Sequence, residues 1–343
     1  MIEKIYVIKT AETNPYHNLA LEEHLLNSVK EGECILYLWQ NRQTVVIGRN
    51  QNALNDCRVQ VLEADGGFLS RRLSGGGAVY HDLGNLNFTF LVRAEDFDKE
   101  KQTDVILKAV QTAGISAEKN GRNDLTVDGR KFSGHAYYKT KEQCYHHGTI
   151  MLNVETEPLS RYLNVSPLKL KAKGVESVKS RVLNLCEVKP ELTIEDMMNY
   201  LIRAFSEVYN LPVSFLYEED LDSEFINTAW ERMASPEWKY GGMKVLSHSV
   251  EARFSWGQVR LDYDSETDCN GIAVLKEVAF STDGLDADYL YEVAKRLTGC
   301  HVERNELFER LTENTEEQGW DTAMIKTMAQ DLISLLIPME EQL

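Results

Sequence analysis

Two arginines, a serine and three consecutive glycines restrict what the chain can form around residue 75. Residues 71–82 read Arg-Arg-Leu-Ser-Gly-Gly-Gly-Ala-Val-Tyr-His-Asp, and a strand-like run from Asn85 to Val92 follows. Glycine has no Cβ, so its backbone N–H groups can approach a ligand closely and adopt positive φ cheaply. The arginines add fixed positive charge suited to phosphate or carboxylate. The segment predicts an anion cradle between two strands, although a turn or bulge uses the same residues.

A second block over residues 129–137 reads Gly-Arg-Lys-Phe-Ser-Gly-His-Ala-Tyr. Asp128-Gly129 is a hairpin-turn signal, which places Lys131 at the head of the second strand. A lysine there is more often a solvated surface residue, but beside a Ser-Gly step it can act as a point charge on an anion. Asn123-Asp124 adds an amide and a carboxylate. That carboxylate suits Mg²⁺, and turn chemistry is its competing explanation. Neither a P-loop nor a dinucleotide-binding glycine motif is present around these blocks.

The bulk composition is that of an ordinary globular protein. The chain has 343 residues, 43% of them hydrophobic and 27% charged, with a net charge of −17. This length allows two domains, and the acidic balance argues against a general nucleic-acid partner. No apolar stretch has membrane-spanning length, and the six cysteines are scattered without C-x-x-C spacing. We therefore expect a reduced cytoplasmic protein without a membrane partner.

Strand-like and helical segments alternate without strict βαβ periodicity, so the expected fold is α/β with a mixed sheet. Asn14-Pro15 predicts a helix start and Gly32 its end, and residues 194–209 read as a long helix. A turn-rich stretch near residues 236–248 marks a boundary. Beyond it, a hairpin and two helices predict a small α+β domain. We predict a first domain over residues 1–244 and a second over residues 245–343.

Several ordered motifs closely resemble the lipoate–protein ligase A family, and the resemblance covers essentially the full length. The opening Asn14-Pro15-x-x-Asn-Leu-Ala-x-Glu-Glu matches, as does the block from Arg71 to Asn85. The other matching segments are Asn120–Asp124, Lys131-x-Ser-Gly-x-Ala, His146-His147-Gly-Thr and residues 173–185. The resemblance implies a mixed-sheet catalytic domain of the biotin/lipoate-ligase type, followed by the C-terminal accessory domain of the longer members.

The resemblance also implies a two-step reaction. Lipoate attacks the α-phosphate of ATP to give lipoyl-AMP and pyrophosphate, with Mg²⁺ as the expected cofactor. A lysine amine of a lipoyl-domain protein then attacks the mixed anhydride and releases AMP. The expected acceptors are the E2 subunits of 2-oxoacid dehydrogenases and the H protein of glycine cleavage. Joining a carboxylate to a phosphate brings two anions together, so the site must supply positive charge and backbone donors.

The residue roles that the resemblance implies centre on Lys131, which is the expected catalytic residue and contacts both nucleotide and lipoate. The expected nucleotide contacts are Arg72, Gly77, Ala78, Val79, Tyr80, Lys131, Asn123 and Asp124, with Asp124 also the candidate Mg²⁺ ligand. The expected lipoate contacts are Lys131, Ser74, Gly75, Gly76 and His147, although a His pair entering a strand is more often structural. The expected adenylate-binding loop includes Lys173, Gly174, Val175, Ser180 and Arg181, although a charge run is usually a solvated face.

Three other classes stay open. An ATP-independent lipoyl or octanoyl amidotransferase has the same fold but carries the acyl group on a cysteine. Residues 121–124 contain no cysteine, and Cys144 is expected in a connecting turn as an unreactive thiol. A biotin–protein ligase would need a Gly-Arg-Gly-Arg signature that is absent here. A non-catalytic acyl-binding paralogue is disfavoured by the intact Lys131 and glycine run.

Overall fold

The structure of the chain is a computed structural model. The structure describes residues 1–120, 124–164, 182–241, 246–284, 288–313 and 321–337. Three sheets and the helices that cover them form these segments, and the predicted α/β class with a mixed sheet is confirmed.

The main sheet has eight strands: β1 (Lys4–Lys9), β2 (Glu33–Trp39), β6 (Asn85–Arg93), β7 (Glu118–Asn120), β8 (Asp124–Val127), β9 (Arg130–Lys139), β10 (Gln143–Met151) and β11 (Val213–Phe215). Their spatial order is β11-β1-β2-β6-β10-β9-β8-β7. Strand β1 pairs in parallel with both β2 and β11, and every neighbouring pair between β2 and β7 in this order is antiparallel.

Helices cover both faces of this sheet, and each face has its own core. Helices α1 (Pro15–Ser28) and α7 (Ser223–Ala234) pack together on one face, over Tyr37, Leu91 and Tyr145. Helices α4 (Lys99–Thr112) and α6 (Ile194–Tyr209) pack together on the opposite face, where Phe88, Phe90 and Phe205 lie fully buried. The part of the sheet between these helices is therefore buried on both sides, and a polar side chain there needs a hydrogen-bond partner.

A second, three-stranded sheet in the order β4-β3-β5 lies beside the main one. Its strands are β3 (Thr44–Ile47), β4 (Phe68–Arg71) and β5 (Val79–His81), with the short helices α2 (Ala53–Asp56), α3 (Val59–Ala64) and α5 (Glu157–Tyr162) nearby. The glycine run connects β4 to β5, so the expected position of the cradle between two strands is confirmed.

The C-terminal part contains the third sheet, which was only partly predicted. Strands β12 (His248–Phe254), β13 (Gly257–Thr267) and β14 (Ala273–Thr282) form it, and α9 (Asp288–Leu297), α10 (Arg304–Thr312) and α11 (Thr322–Leu336) pack on one core with it. The expected hairpin is present, but the third strand and the middle helix were missed. A short helix α8 (Pro236–Tyr240) precedes this part and ends at Gly241, whose φ is +64°.

Local sequence signals explain several element ends. The side chain of Asn14 accepts a hydrogen bond from the Tyr16 N–H, which confirms the predicted start of α1. The predicted end at Gly32 is wrong, because α1 ends at Ser28 and Gly32 instead forms the turn into β2 with φ of +72°. Asp128 and Gly129 both have positive φ, as the predicted two-residue hairpin turn requires.

Candidate active site

The glycine run packs directly against the loop that follows β3. The N–H of Arg49 donates to the Ser74 carbonyl at 2.9 Å. A Cβ built on Gly48 would lie 2.2 Å from the Gly76 carbonyl oxygen, so only glycine fits there. Gly76 itself has a φ of +91°, the region that favours glycine. Both glycines are therefore required by the close backbone approach that shapes the cradle.

Arg72 holds the run from beneath, with its guanidinium directed at the run's own oxygens. Its Nη2 donates to the carbonyls of Gly75 at 2.6 Å and Gly77 at 2.9 Å, and its Nε donates to Ser74 Oγ at 3.0 Å. Nη1 donates to the Val46 carbonyl on β3. Burial lowers the pKa of Arg72 to about 10, so the side chain stays charged at neutral pH. Its contact with a nucleotide stays a prediction.

The residues expected to contact the nucleotide lie at the C-terminal end of the glycine run. Gly77, Ala78 and Val79 are half-buried, and they lead into β5. Tyr80 is buried in the apolar cluster around Val45 and Leu69, with its ring 5.7 Å from the ring of Tyr162. The Tyr80 ring thus anchors the strand, while the preceding residues remain accessible.

Ser74, His147 and Glu22 form a buried hydrogen-bonded chain. Nδ1 of His147 lies 2.9 Å from Glu22 Oε1, and its Nε2 lies 2.8 Å from Ser74 Oγ. The carboxylate accepts a hydrogen bond from Nδ1, so Nε2 is the acceptor of the hydrogen bond that the Ser74 hydroxyl donates. Thr89 donates to the same Glu22 oxygen at 2.7 Å. The chain fixes His147 against the glycine run, and its contact with lipoate stays a prediction.

Glu22 is a candidate functional residue that the sequence reasoning did not assign. It lies on α1, one turn after Asn18, and both polar side chains are buried on the face that packs on the sheet. A polar pair at i and i+4 on the apolar face of a helix is costly unless both groups have partners. That departure from amphipathic spacing is the signal that would have identified them.

A bulge in β9 sets the position of Lys131. Thr126 pairs with Lys131 and Leu125 pairs with Ser133, so Phe132 is an extra residue on β9. Phe132 is fully buried in the core beneath the sheet, beside Leu125. The bulge therefore lets Phe132 enter the core while Lys131 stays half-exposed.

The Lys131 ammonium lies over Gly134. A Cβ built on Gly134 would be 2.9 Å from Lys131 Nζ, and Nζ forms an ion pair with Asp124 at 2.6 Å. The two side chains are 40% and 44% exposed, so the pair faces solvent rather than the core. Ala136, two residues after Gly134, pairs with His147 on β10. Alternate residues share a face, so Lys131 lies over the face that carries His147.

The other histidine of the pair lies beneath the sheet. His146 Nε2 lies 2.8 Å from His135 Nδ1, and His135 Nε2 lies 3.1 Å from Ser133 Oγ. Gln102 on α4 completes this chain at 3.2 Å from His146 Nδ1. Burial lowers the pKa of both histidines, to about 3 for His135. His146 is thus a neutral structural residue on the face opposite Lys131.

Six predicted site residues lie outside the described residues: Asn123, Lys173, Gly174, Val175, Ser180 and Arg181. The described residues that follow this predicted loop reach Lys131. The Leu183 N–H donates to the Lys131 carbonyl at 2.8 Å, and Arg130 donates to the Val182 carbonyl at 2.7 Å. The chain that follows the predicted loop is therefore attached to the strand that carries the candidate catalytic lysine.

Cys144 does not lie in a connecting turn, so that expectation is wrong. It lies within β10, buried in the core beneath the sheet, and burial raises the pKa of its thiol to about 12. A thiol that stays protonated in an apolar core is a poor nucleophile. Within the described ranges, no group of three or more His, Cys, Asp or Glu side chains is arranged to hold a metal ion.

Comparisons with known proteins identify the class to which this site belongs. Residues 14–206 match the family model of the lipoyl protein ligase A/B catalytic domain, and residues 245–336 match that of the bacterial lipoate protein ligase C-terminus. A lipoate-protein ligase A of Psychrobacter cryohalolentis is 36% identical over 338 residues, covering 96% of this chain and 98% of that protein.

Solved structures give the same class. P. falciparum LipL1, determined in complex with lipoate, matches with a TM-score of 0.81 and 25% identity over 96% of this chain and 99% of that chain. A bipartite lipoate protein ligase of Thermoplasma acidophilum, studied with its E2 lipoyl domain, matches with a TM-score of 0.62 and 25% identity over 72% and 100%. A lipoate-protein ligase A bound with ATP shares the fold at a TM-score of 0.60 and 24% identity, over 71% and 100%.

The fold is that of lipoyl-group ligases. The chain belongs to the lipoate–protein ligase A family. The resemblance found in the motifs is confirmed, as is the prediction of a lipoate–protein ligase. None of the helices that the structure describes is both long and apolar enough to cross a membrane.

Proposed function

We propose that Lys131 carries the chemistry by which this chain joins lipoate to AMP and then passes the lipoyl group to a lysine of a lipoyl domain. The observation that carries this assignment is the half-exposed Lys131 ammonium, held over Gly134 on the sheet face that also carries His147, the hydrogen-bond partner of Ser74. A charge at that point can neutralise both the attacking carboxylate and the α-phosphate.

The glycine run is the proposed nucleotide side of the site. Gly77, Ala78 and Val79 are half-buried at the exit of the run, where their backbones can face phosphate, and Arg72 fixes the run's carbonyl side. Because the Arg72 guanidinium donates hydrogen bonds to oxygens of the run, we assign Arg72 to holding the backbone N–H groups of the run in place. Tyr80 contributes its backbone, since its ring is buried in the neighbouring cluster. Asn123 is assigned to the same side from the family motif.

The lipoate side is assigned to Ser74, Gly75, Gly76 and His147. Glu22 fixes the His147 ring, and Arg72 donates to Ser74, so both polar side chains are held before any substrate binds. A preorganised pair of this kind needs no rearrangement when a carboxylate arrives. After adenylation the acyl group is already activated, so the second step needs positioning and charge rather than an enzyme nucleophile.

Asp124 is the proposed Mg²⁺ ligand. Nucleotide-bound Mg²⁺ uses one or two carboxylates together with phosphate oxygens and water, so a single half-exposed aspartate fits that donor set. When bound, the ion would neutralise phosphate charge. Asp124 itself orients the Lys131 ammonium through their 2.6 Å ion pair.

The remaining assignments concern the loop, the domains and the partners. Residues 173–181 are proposed as the adenylate-binding loop, supported by the attachment of Val182 to Arg130. Two domains are proposed over residues 1–244 and 245–343, and the start of the C-terminal family match at residue 245 supports the boundary. E2 subunits and the glycine cleavage H protein are the proposed acceptors, in the cytoplasm. The T. acidophilum ligase studied with its E2 lipoyl domain supports the first of them.

The experiment is a comparison of Lys131→Ala with Lys119→Ala. Lys119 is a matched control, because it lies on the edge strand β7, is 37% exposed and is paired with Glu100 and Asp104 of helix α4. Lys131→Ala should lower the rate of lipoyl-AMP formation about 10²–10³-fold while the thermal unfolding temperature stays near that of the parent protein, and Lys119→Ala should retain activity. Normal lipoyl-AMP synthesis by folded Lys131→Ala would rule out the assignment.

A further inference from the structure

Arg71, the last residue of β4, is a buried arginine whose hydrogen-bond acceptors are all main-chain carbonyls. Its Nε donates to the Trp238 carbonyl at 2.9 Å, and its Nη2 donates to the Lys239 carbonyl at 2.8 Å. Its Nη1 donates to the carbonyls of Arg49 at 2.7 Å and Gln51 at 2.8 Å. One guanidinium therefore joins two segments that are distant in sequence.

The first segment is the helix that precedes the C-terminal part of the chain. Trp238 and Lys239 lie on α8, which ends at Gly241, shortly before the C-terminal family match begins at residue 245. The tie is reciprocal, because Trp238 Nε1 donates to the Arg71 carbonyl at 2.9 Å. A Cβ on Gly241 would lie 3.4 Å from Arg71 Nη2, so the guanidinium also packs on the helix end.

The second segment is the loop behind the glycine run, which also meets the C-terminal sheet. The Thr282 N–H, at the end of β14, donates to the Asn50 carbonyl of that loop at 2.9 Å. The Gly76 N–H of the run donates to the Gly284 carbonyl at 3.2 Å. The loop thus touches the run on one side and the C-terminal sheet on the other, and Arg71 binds the loop to α8.

We propose that Arg71 is a positioning residue that ties helix α8 to the loop behind the glycine run, so that the placement of the C-terminal domain and the shape of the nucleotide side are set together. The inference rests on the proposed nucleotide role of the run. Only arginine supplies five donors in a planar fork, and lysine keeps the charge without that reach. Burial lowers the pKa of Arg71 to about 10, so the fork stays charged at neutral pH.

The test compares Arg71→Lys with Arg203→Gln, a control that removes an exposed arginine paired with Glu207 on α6. One readout is the KM for ATP in lipoate-dependent pyrophosphate release. The other is the distance distribution between spin labels on the exposed Cys269 of the C-terminal sheet and on an exposed position of α5, using Glu157→Cys. The half-buried Cys186 is replaced by serine in every variant, so that it takes no label.

In Arg71→Lys the KM for ATP should rise about tenfold with a smaller change in kcat, because a displaced run binds the nucleotide less tightly in the ground state and the transition state alike. The label distances should broaden as well, and the control should change neither quantity. Folded Arg71→Lys with the parent KM and distances would overturn the inference, as would a fall in kcat alone.

A second variant covers the case in which Arg71→Lys does not fold. Trp238→Phe keeps an aromatic ring but lacks the indole N–H that donates the reciprocal hydrogen bond. It should broaden the distribution of label distances as Arg71→Lys does. Parent-like distances in Trp238→Phe would then overturn the inference. A parent enzyme that releases no pyrophosphate would instead refute the proposed function, and the label distances would still test the tie.

Discussion

Replacing Gly134 with alanine should impair lipoyl-AMP formation while leaving the protein folded. The new Cβ would lie 2.9 Å from both Cε and Nζ of Lys131, and the optimal separation of such atoms is about 3.5–4.0 Å. The crowded atoms are the end of a flexible side chain, so the lysine moves by about 1 Å rather than the strand. Gly134 does not have positive φ, and alanine there should change the free energy of unfolding by less than about 1 kcal/mol.

The expected catalytic loss follows from that displacement. A misplacement of about 1 Å at a reacting centre costs on the order of 100-fold in rate. Removing one charge-stabilising donor altogether costs about 10²–10³-fold, so Lys131→Ala sets the upper limit. The assay is lipoate-dependent pyrophosphate release at saturating ATP, run beside thermal unfolding.

Gly148→Ala is the control for general crowding of the sheet. Its Cβ would lie 2.5 Å from the Gly134 carbonyl oxygen and 2.6 Å from a ring carbon of Phe88, and neither atom can move freely. Such overpacking should lower the free energy of unfolding by about 1–3 kcal/mol. The reasoning is refuted if Gly134→Ala keeps the parent rate, or if its unfolding temperature falls as far as that of Gly148→Ala.

Glu22→Gln should raise the KM for lipoate about tenfold, since a hydrogen bond to a charged group contributes about 1.5–3 kcal/mol; Glu23→Gln, which loses only its pairing with Arg232, should not. Cys144→Ser should keep its activity, and a large loss in the folded variant would revive the thioester mechanism. Burial lowers the pKa of His81 and of His135 from 6.5 to about 3, so both take up protons on unfolding below pH 6.5. As the pH is lowered below 6.5, the free energy of unfolding should therefore fall by about 1.4 kcal/mol per pH unit for each ring. His81→Asn should flatten this pH dependence in denaturant titrations.

Local signals in the sequence were sufficient for several features of the fold. The Asn14 cap, the Asp128-Gly129 turn and the helix over residues 194–209 each depend on neighbours within four residues, and the structure contains all three. The end of α1 was missed because Gly32 serves the turn into β2 rather than the helix. The order of the eight-stranded sheet depends on pairings between distant residues, which local patterns do not encode.

The site was predictable as a set of residue types but not as an arrangement. The sequence suggested that Arg71 and Arg72 offer charge to an anion. In the structure both guanidiniums also donate to backbone carbonyls, which only the folded loops bring within reach. The extra residue at Phe132, which turns Lys131 toward Gly134, is equally invisible without knowing how β8 pairs with β9.

Pyrophosphate release from ATP, with lipoate present and no acceptor protein, tests the account most directly when lipoyl-AMP is followed by mass spectrometry. We predict lipoate-dependent release by the parent enzyme, with lipoyl-AMP as the second product. Absence of release, together with lipoyl transfer from one modified protein to another, would contradict the account and favour an amidotransferase. Absence of both reactions would contradict it in favour of an acyl-binding paralogue.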